Sequence, residues 1–325
     1  MTSKPSAPTL VVSGYNLVTG WGDGLKALPG NARKAADGRA ILPLLTPPCT
    51  DERLRRATRE CLLAVRAVQQ ALANANLTRV NLAGPRTAVV YASASAYAAA
   101  NWTFLADDFE HVVYFPYTAP SAVPGEVTMQ YGITGPYLSF LSGANAGLEA
   151  LWHALTLLSH DQCDRALVLG IETFVDCESL YTAGRWLLDK PLVETAICLI
   201  LERHADFTDM AFNAGAAPDV ATLLAPFVEG HAIPSAYLCC PTVRSGYVAR
   251  WELIQRWPAM TVSVINERVG TCLASMPLIA LLLSLSEAGD SAFLLVSRWW
   301  DQWASLRWPA SRSACAPKAR GYRVS

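Results

Sequence analysis

Apolar positions along this chain fall into two alternating rhythms. Thr87 to Tyr91, Ala166 to Gly170 and Leu192 to Glu202 are continuous apolar runs, as expected of strands buried on both faces. Asp51 to Ala75 instead repeats Leu54, Cys61, Leu62, Val65, Val68 and Leu72 at helical spacing, with Asp51 placed to cap and Glu52 in the first turn. Leu148 to Leu158, Gly246 to Trp257 and Ala274 to Ala288 are further predicted helices. Thr9 to Val12 and Thr261 to Ile265 read as strands, and Phe293 to Val296 with Ala304 to Trp308 as a closing hairpin. Asp206 to Pro218 reads as loop, and the Pro-, Ser- and Arg-rich stretch from Pro309 as a flexible tail. Strands alternating with helices predict an α/β fold.

Composition narrows the function. A chain of 325 residues can bury a large core, as one domain or as two pseudo-repeated halves. It is 52% hydrophobic and 16% charged, below the usual quarter, so a large partner interface is expected. Lys+Arg 26 against Asp+Glu 27 gives a net charge of −1, which offers no electrostatic support for binding nucleic acid. No apolar stretch reaches the roughly 18 residues of a membrane span. Met276 to Leu285 reads as a buried helix, and the N-terminus carries no signal-peptide apolar region. The nine cysteines form no CxxC pair and read as reduced thiols of a cytoplasmic protein. The five histidines are too dispersed for metal ligation, so neither metal nor cofactor is expected.

One segment carries a chemical design. Gly135-Pro136-Tyr137-Leu138-Ser139-Phe140-Leu141-Ser142-Gly143-Ala144-Asn145-Ala146-Gly147-Leu148 is a short strand, a small-residue turn and a helix start. A turn residue at such a helix N-terminus sits where free N–H groups and the dipole stabilise a thiolate. Here that residue is Ala144, which has no nucleophile. Upstream runs Pro124-Gly125-Glu126-Val127-Thr128-Met129-Gln130-Tyr131-Gly132-Ile133-Thr134, and downstream Ala166-Leu167-Val168-Leu169-Gly170-Ile171-Glu172. Together with Val11 to Thr19, these segments resemble the β-ketoacyl synthases of the thiolase fold, closely from about residue 9 to 205 and less so beyond. The resemblance implies a layered α/β/α/β/α unit over 1–325. Its first half, 1–205, would be intact, its second, 206–308, abbreviated, and 309–325 a tail.

The family's chemistry needs a cysteine thiolate, two histidines and a lysine. Carried over residue by residue, the cysteine position is Ala144. The run Ser263 to Thr271 places Asn266 at the lysine and Thr271 at a histidine. Pro234 to Leu238 resembles the segment before the other histidine's His-Gly-Thr-Gly-Thr stretch. That stretch has no counterpart, and a large block reads as deleted before Asn266. The family's Gly-Phe-Gly-Gly gate is replaced by Ser297-Arg298-Trp299-Trp300-Asp301-Gln302-Trp303, so Trp299, Trp300 and Trp303 stand where glycines give backbone freedom.

This pattern resembles a chain length factor, a ketosynthase paralogue that lacks the cysteine, pairs with an active ketosynthase and shapes the acyl channel. The shortened style is that of bacterial aryl polyene and related type II polyketide or fatty-acid-like pathways. Unlike factors with Gln at the cysteine position, this chain has no amide there to orient a malonyl carbonyl. The resemblance implies a catalytically inactive subunit in a heterodimer. An acyl carrier protein would be engaged directly or through the partner, and Tyr114, Phe115 and Tyr117 would lie at the interface or channel wall. Two alternatives stand beside it. One is an acyl hydrolase or transferase using Ser142 or one of Cys163, Cys177, Cys198 and Cys272. The other is a scaffold recruiting the carrier through Arg33, Lys34, Arg53, Arg55, Arg56 and Arg59.

Overall fold

The structure is a computed structural model that describes residues 11–49, 51–106, 112–183, 191–203, 210–217, 219–289 and 291–309. The N-terminal region supplies β1 (Val11–Thr19), β2 (Gly22–Asp23), α1 (Ala32–Ala36), β3 (Ile41–Leu42), α2 (Arg59–Ala75) and α3 (Arg79–Leu82). It continues through β4 (Thr87–Ala92), α4 (Ala96–Ala106), α5 (Ala122–Tyr131), β5 (Tyr137–Phe140), α6 (Ala146–Ser159) and β6 (Arg165–Glu172). Next come α7 (Glu178–Ala183), β7 (Leu192–Val193), β8 (Thr195–Glu202), β9 (Ala211–Ala216), α8 (Val220–Val228) and β10 (Ser235–Cys239). The chain then forms α9 (Val243–Arg256), β11 (Thr261–Val264), α10 (Ile265–Val269), α11 (Met276–Glu287), β12 (Phe293–Trp299) and β13 (Gln302–Trp308).

Two sheets share one topology. The first runs β2-β1-β8-β6-β4-β5 and the second β11-β10-β12-β13-β9. In each, three strands are parallel (β5, β4, β6; β11, β10, β12) and two more join antiparallel (β8, β1; β13, β9). The second sheet therefore repeats the order of five of the first sheet's six strands, within residues 211–308 against 11–202 for the first. Between the sheets lie α6 and α11, apolar nearly all round, as a helix covered on every side must be. The amphipathic α2 covers the outer face of the first sheet through Cys61, Ala64, Val68 and Leu72. The outer face of the second is covered by α8 and α9. These five layers give the thiolase-like architecture that the resemblance implied.

Two expectations shift. The helix expected from Asp51 begins at Arg59, because Asp51 caps a separate 3₁₀ turn, Glu52–Leu54, by accepting from the Arg53 N–H. The stretch read as loop at 206–218 contains β9, an edge strand of small residues whose pairing comes from β13 rather than from propensity. Between Ser235 and Val264 the chain makes one crossover, β10, α9 and β11 in order. The tail expected from Pro309 lies, but for that residue, outside the described residues.

Candidate functional site: a closed elbow

The carboxyl ends of β5, β6, β10, β11 and β12 carry the positions where chemistry was expected. Beyond β5 the chain turns through Ser142 into the 3₁₀ turn Gly143–Asn145 and enters α6. Gly143 has φ 65°, a left-handed conformation that glycine adopts without Cβ strain. Ala144 is fully buried, and its carbonyl accepts a hydrogen bond from Ser297 Oγ at 2.9 Å. Asn145 Nδ2 donates to the Gln302 carbonyl at 3.2 Å. Both partners belong to the β12–β13 hairpin, which is thus fastened onto the elbow.

The indole of Trp299 completes the closure. A Cβ built on Gly143 would overlap its ring, so the indole lies directly against the Gly143 backbone. Trp299 also packs on the cluster of Phe174, Leu192 and Leu273. Trp300 forms the hairpin tip at φ 55° and is exposed, whereas Trp303 is buried in the second sheet's core beneath the Arg298 guanidinium, 4.7 Å from its ring centroid. Of the three tryptophans at the gate position, one covers the turn, one faces solvent and one packs the core.

Asn266 and Thr271, expected at the lysine and histidine positions, carry no group that transfers protons near neutral pH. Asn266 is buried at the start of α10, and its Oδ1 accepts from the Cys240 N–H at 2.9 Å. That bond ties the ends of β10 and β11 together. Burial pushes the Cys240 thiol up to about 12, so it is not a thiolate at neutral pH. Thr271 is buried, and its N–H donates to the Pro191 carbonyl at 2.9 Å. Neither Asn266 Nδ2 nor the Thr271 hydroxyl has a hydrogen-bond partner among the described residues.

Glu172, at the end of β6, is the titratable group that pattern reading passed over. It is fully buried. One carboxylate oxygen accepts from the Ala94 N–H at 2.8 Å and the Ala274 N–H at 3.0 Å, the other from the Ser95 N–H at 3.0 Å and the Ser95 hydroxyl. It thereby joins the loop after β4 to the turn before α11. Burial raises its pKa from 4.5 to about 7, against the opposing pull of these donors. Because the folded state binds the proton more tightly, stability contributed by this group is full below pH 4.5 and declines as pH rises through 7. The unfolding free energy is therefore expected to fall over that window by at most about 3 kcal/mol, read from denaturant titrations, and Glu172→Gln to flatten the slope.

The alternative nucleophiles fare poorly. The Ser142 hydroxyl is exposed and donates to the Glu149 carboxylate, with no histidine bonded to it among the described residues. Burial raises Cys163 and Cys177 to about 11 and Cys272 to about 12, and raises buried Cys198 as well. His153 stacks on Phe140 with ring centroids 4.7 Å apart, His160 bonds the Thr156 carbonyl, and His111 and His204 lie outside the described residues. Among the described residues no group of three or more His, Cys, Asp or Glu could hold a metal ion.

The channel candidates occupy a 3₁₀ segment, Val112–Thr118, between α4 and α5. Phe115 is 61% exposed with its ring 5.8 Å from Phe104, and the Tyr117 hydroxyl donates to Glu126 Oε1 at 2.9 Å. Tyr114 lies in the same segment. Of the basic residues expected to bind a carrier, three are engaged within the chain. Arg59 turns inward onto Glu194 and Asp176, and Arg53 and Arg55 pair with Asp51 and Glu52.

Residues 47–191 match the family model "Beta-ketoacyl synthase, N-terminal domain". Among solved structures the chain is similar to a type II polyketide synthase acyl-carrier protein in complex with its ketosynthase bound to the hexaketide. That likeness has 14% identity and a TM-score of 0.70, covering 94% of this chain and 100% of that one. It is likewise similar to the ishigamide ketosynthase/chain length factor, with 17% identity, TM-score 0.69 and coverage of 92% and 98%. A third likeness is to a beta-ketoacyl synthase from Burkholderia phymatum STM815, with 15% identity, TM-score 0.62 and coverage of 94% and 100%. At these identities the likeness is one of fold. No curated protein matches the sequence. Among the described residues no helix is long and apolar enough to cross a membrane.

Proposed function

We propose that this chain is a catalytically silent, chain-length-factor-type subunit that pairs with an active ketosynthase and borders its acyl channel. The pathway would be a cytoplasmic type II polyketide or fatty-acid-like one, aryl polyene synthesis included. The observation that carries the reading is the sealed elbow. The turn that would present a nucleophile is buried, lacks one, and is covered by Trp299. A single missing thiol would leave an open pocket behind it.

The pairing surface is the free edge of the first sheet. Among the described residues the strand β5 has β4 on one side only, and Tyr137 at its start and Leu141 just past its end are exposed. Trp102, Leu105 and Phe115, in the connection between β4 and β5, are exposed too. An edge strand with unpaired N–H and C=O groups beside apolar side chains is a template for strand pairing with a partner. Two ketosynthase-type chains joined there would bring the 112–118 segment against the partner's channel, where a rigid ring stops an elongating chain from gaining burial.

Co-expression with the cognate ketosynthase is expected to give a 1:1 complex, and Phe115→Ala to lengthen the products of that complex. Failure to co-purify, or an unchanged product distribution with Phe115→Ala and Tyr114→Ala alike, would sink the assignment. The chain alone is expected to resist acyl labelling. Ala144→Cys is expected to stay unlabelled as well, because the new thiol would be buried beneath an indole with no base. Stoichiometric labelling of Ala144→Cys by an acyl thioester would show that the elbow is open.

A further inference from the structure

The helix α9 is apolar on two faces. Its inner face packs through Ala249 and Leu253, both fully buried, and through Gly246, where a Cβ would lie 3.0 Å from Val264 Cγ1. Its outer face carries Tyr247, Trp251 and Ile254 at positions i, i+4 and i+7, with Val248 beside them. Their exposures are 60%, 64%, 37% and 43%. That spacing makes one ridge over two helical turns. Among the described residues nothing covers this ridge.

Two cations with no ion-pair partner among the described residues flank the ridge. Arg244 and Arg250 are exposed and make no hydrogen bond or ion pair among the described residues. The nearby carboxylates are engaged, since Glu252 accepts from the Val220 N–H at 3.1 Å and Glu229 pairs with Arg256 at 3.0 Å. A groove lined by Val228, Ile233, Trp257, Pro258, Met260 and Ala292 opens at the C-terminal end of the same helix. Trp, Tyr and Arg without Lys is the composition of protein-interface hot spots rather than of membrane-surface helices, which favour Lys-rich polar faces.

We propose that the outer face of α9 is a docking surface for an acidic amphipathic helix of a partner protein. The partner's apolar stripe would lie on Tyr247, Trp251 and Ile254, and its carboxylates would face Arg244 and Arg250. This surface lies on the second sheet's outer layer, away from the β5 edge, and does not rest on the channel-subunit reading.

The test titrates the full-length chain with three probes. They are a labelled 18-residue amphipathic peptide with Leu on one face and Glu elsewhere, the same peptide with Lys for Glu, and vesicles containing phosphatidylglycerol. The Glu peptide is expected to bind at least tenfold more tightly than the Lys peptide. Trp251→Ala is expected to weaken it at least tenfold, and Arg244→Glu with Arg250→Glu likewise. All three positions are exposed, so thermal midpoints should stay near that of the parent chain. Equal binding of the two peptides, or no loss in either variant, would overturn the proposal. So would vesicle binding that Trp251→Ala abolishes, which would assign the face to a lipid surface. Concentration-dependent self-association lost in Trp251→Ala would assign it to a second copy.

Discussion

Gly147→Ala is expected to abolish the cooperative fold. Gly147 lies in the first turn of α6, and a Cβ there would overlap the Ala274 carbonyl oxygen and stand 3.2 Å from Pro277 Cδ. The main obstacle is backbone, which no rotamer change can relieve. Both helix starts are buried between the two sheets, so α6 would have to move away from α11, carrying the elbow with it. Ala gains about 1 kcal/mol of helix propensity over Gly. Overpacking a core commonly costs about 1–3 kcal/mol and more against fixed backbone, so a net loss of about 4 kcal/mol or more is expected. Gly125→Ala is the control. It lies within α5 with nothing within 4 Å of its would-be Cβ, and should be neutral or stabilising by up to about 1 kcal/mol. Denaturant midpoints for the two variants compare them directly. A Gly147→Ala chain as stable as its parent would mean that the two half-folds are not locked together at their helix starts.

The elbow was legible because its grammar is local: an apolar strand, small residues at the turn and an apolar helix directly after. The same holds for β4, all six residues of which are buried, and for α11, whose polar-free run could only be interior. What escaped reading depended on partners distant in sequence. In β9, Asn213 and Gly215 disfavour a strand, and the segment becomes one because β13 lies alongside. The inward turn of Arg59 is set by Glu194, 135 residues away. Trp299 reads from sequence as a bulky replacement at a gate. Only the fold shows that its ring seals the Gly143 turn. The topological identity of the two sheets was hidden because the halves share strand order without sharing motif spacing.

Arg59→Met is expected to cost about 3 kcal/mol at neutral pH and much less in acid. Glu194 is fully buried, and its oxygens accept from the N–H groups of Leu44, Phe174 and Val175, each at 2.7–2.8 Å. Arg59 supplies the cation, 2.5 Å from Oε2 through Nη2 and 3.2 Å from Oε1 through Nη1. Burial opposes ionisation, but the arginine and the three amides prevail and hold this carboxyl below its ordinary value. The stability it contributes is therefore present above the unfolded pKa and lost as pH falls through the folded one. Removing one partner of a buried pair costs about 3–5 kcal/mol, and the three amides that remain favour the lower end. Without its cation the carboxyl's pKa rises, so the variant's deficit should shrink as pH drops toward 4, and a pH-independent deficit would mean that Arg59 acts through packing instead. The consequence reaches the elbow, because Phe174, whose N–H Glu194 holds, lies in the small cluster on which Trp299 packs. Loosening that support should expose the indole to collisional quenchers at neutral pH while leaving Trp251, on the opposite layer, unchanged.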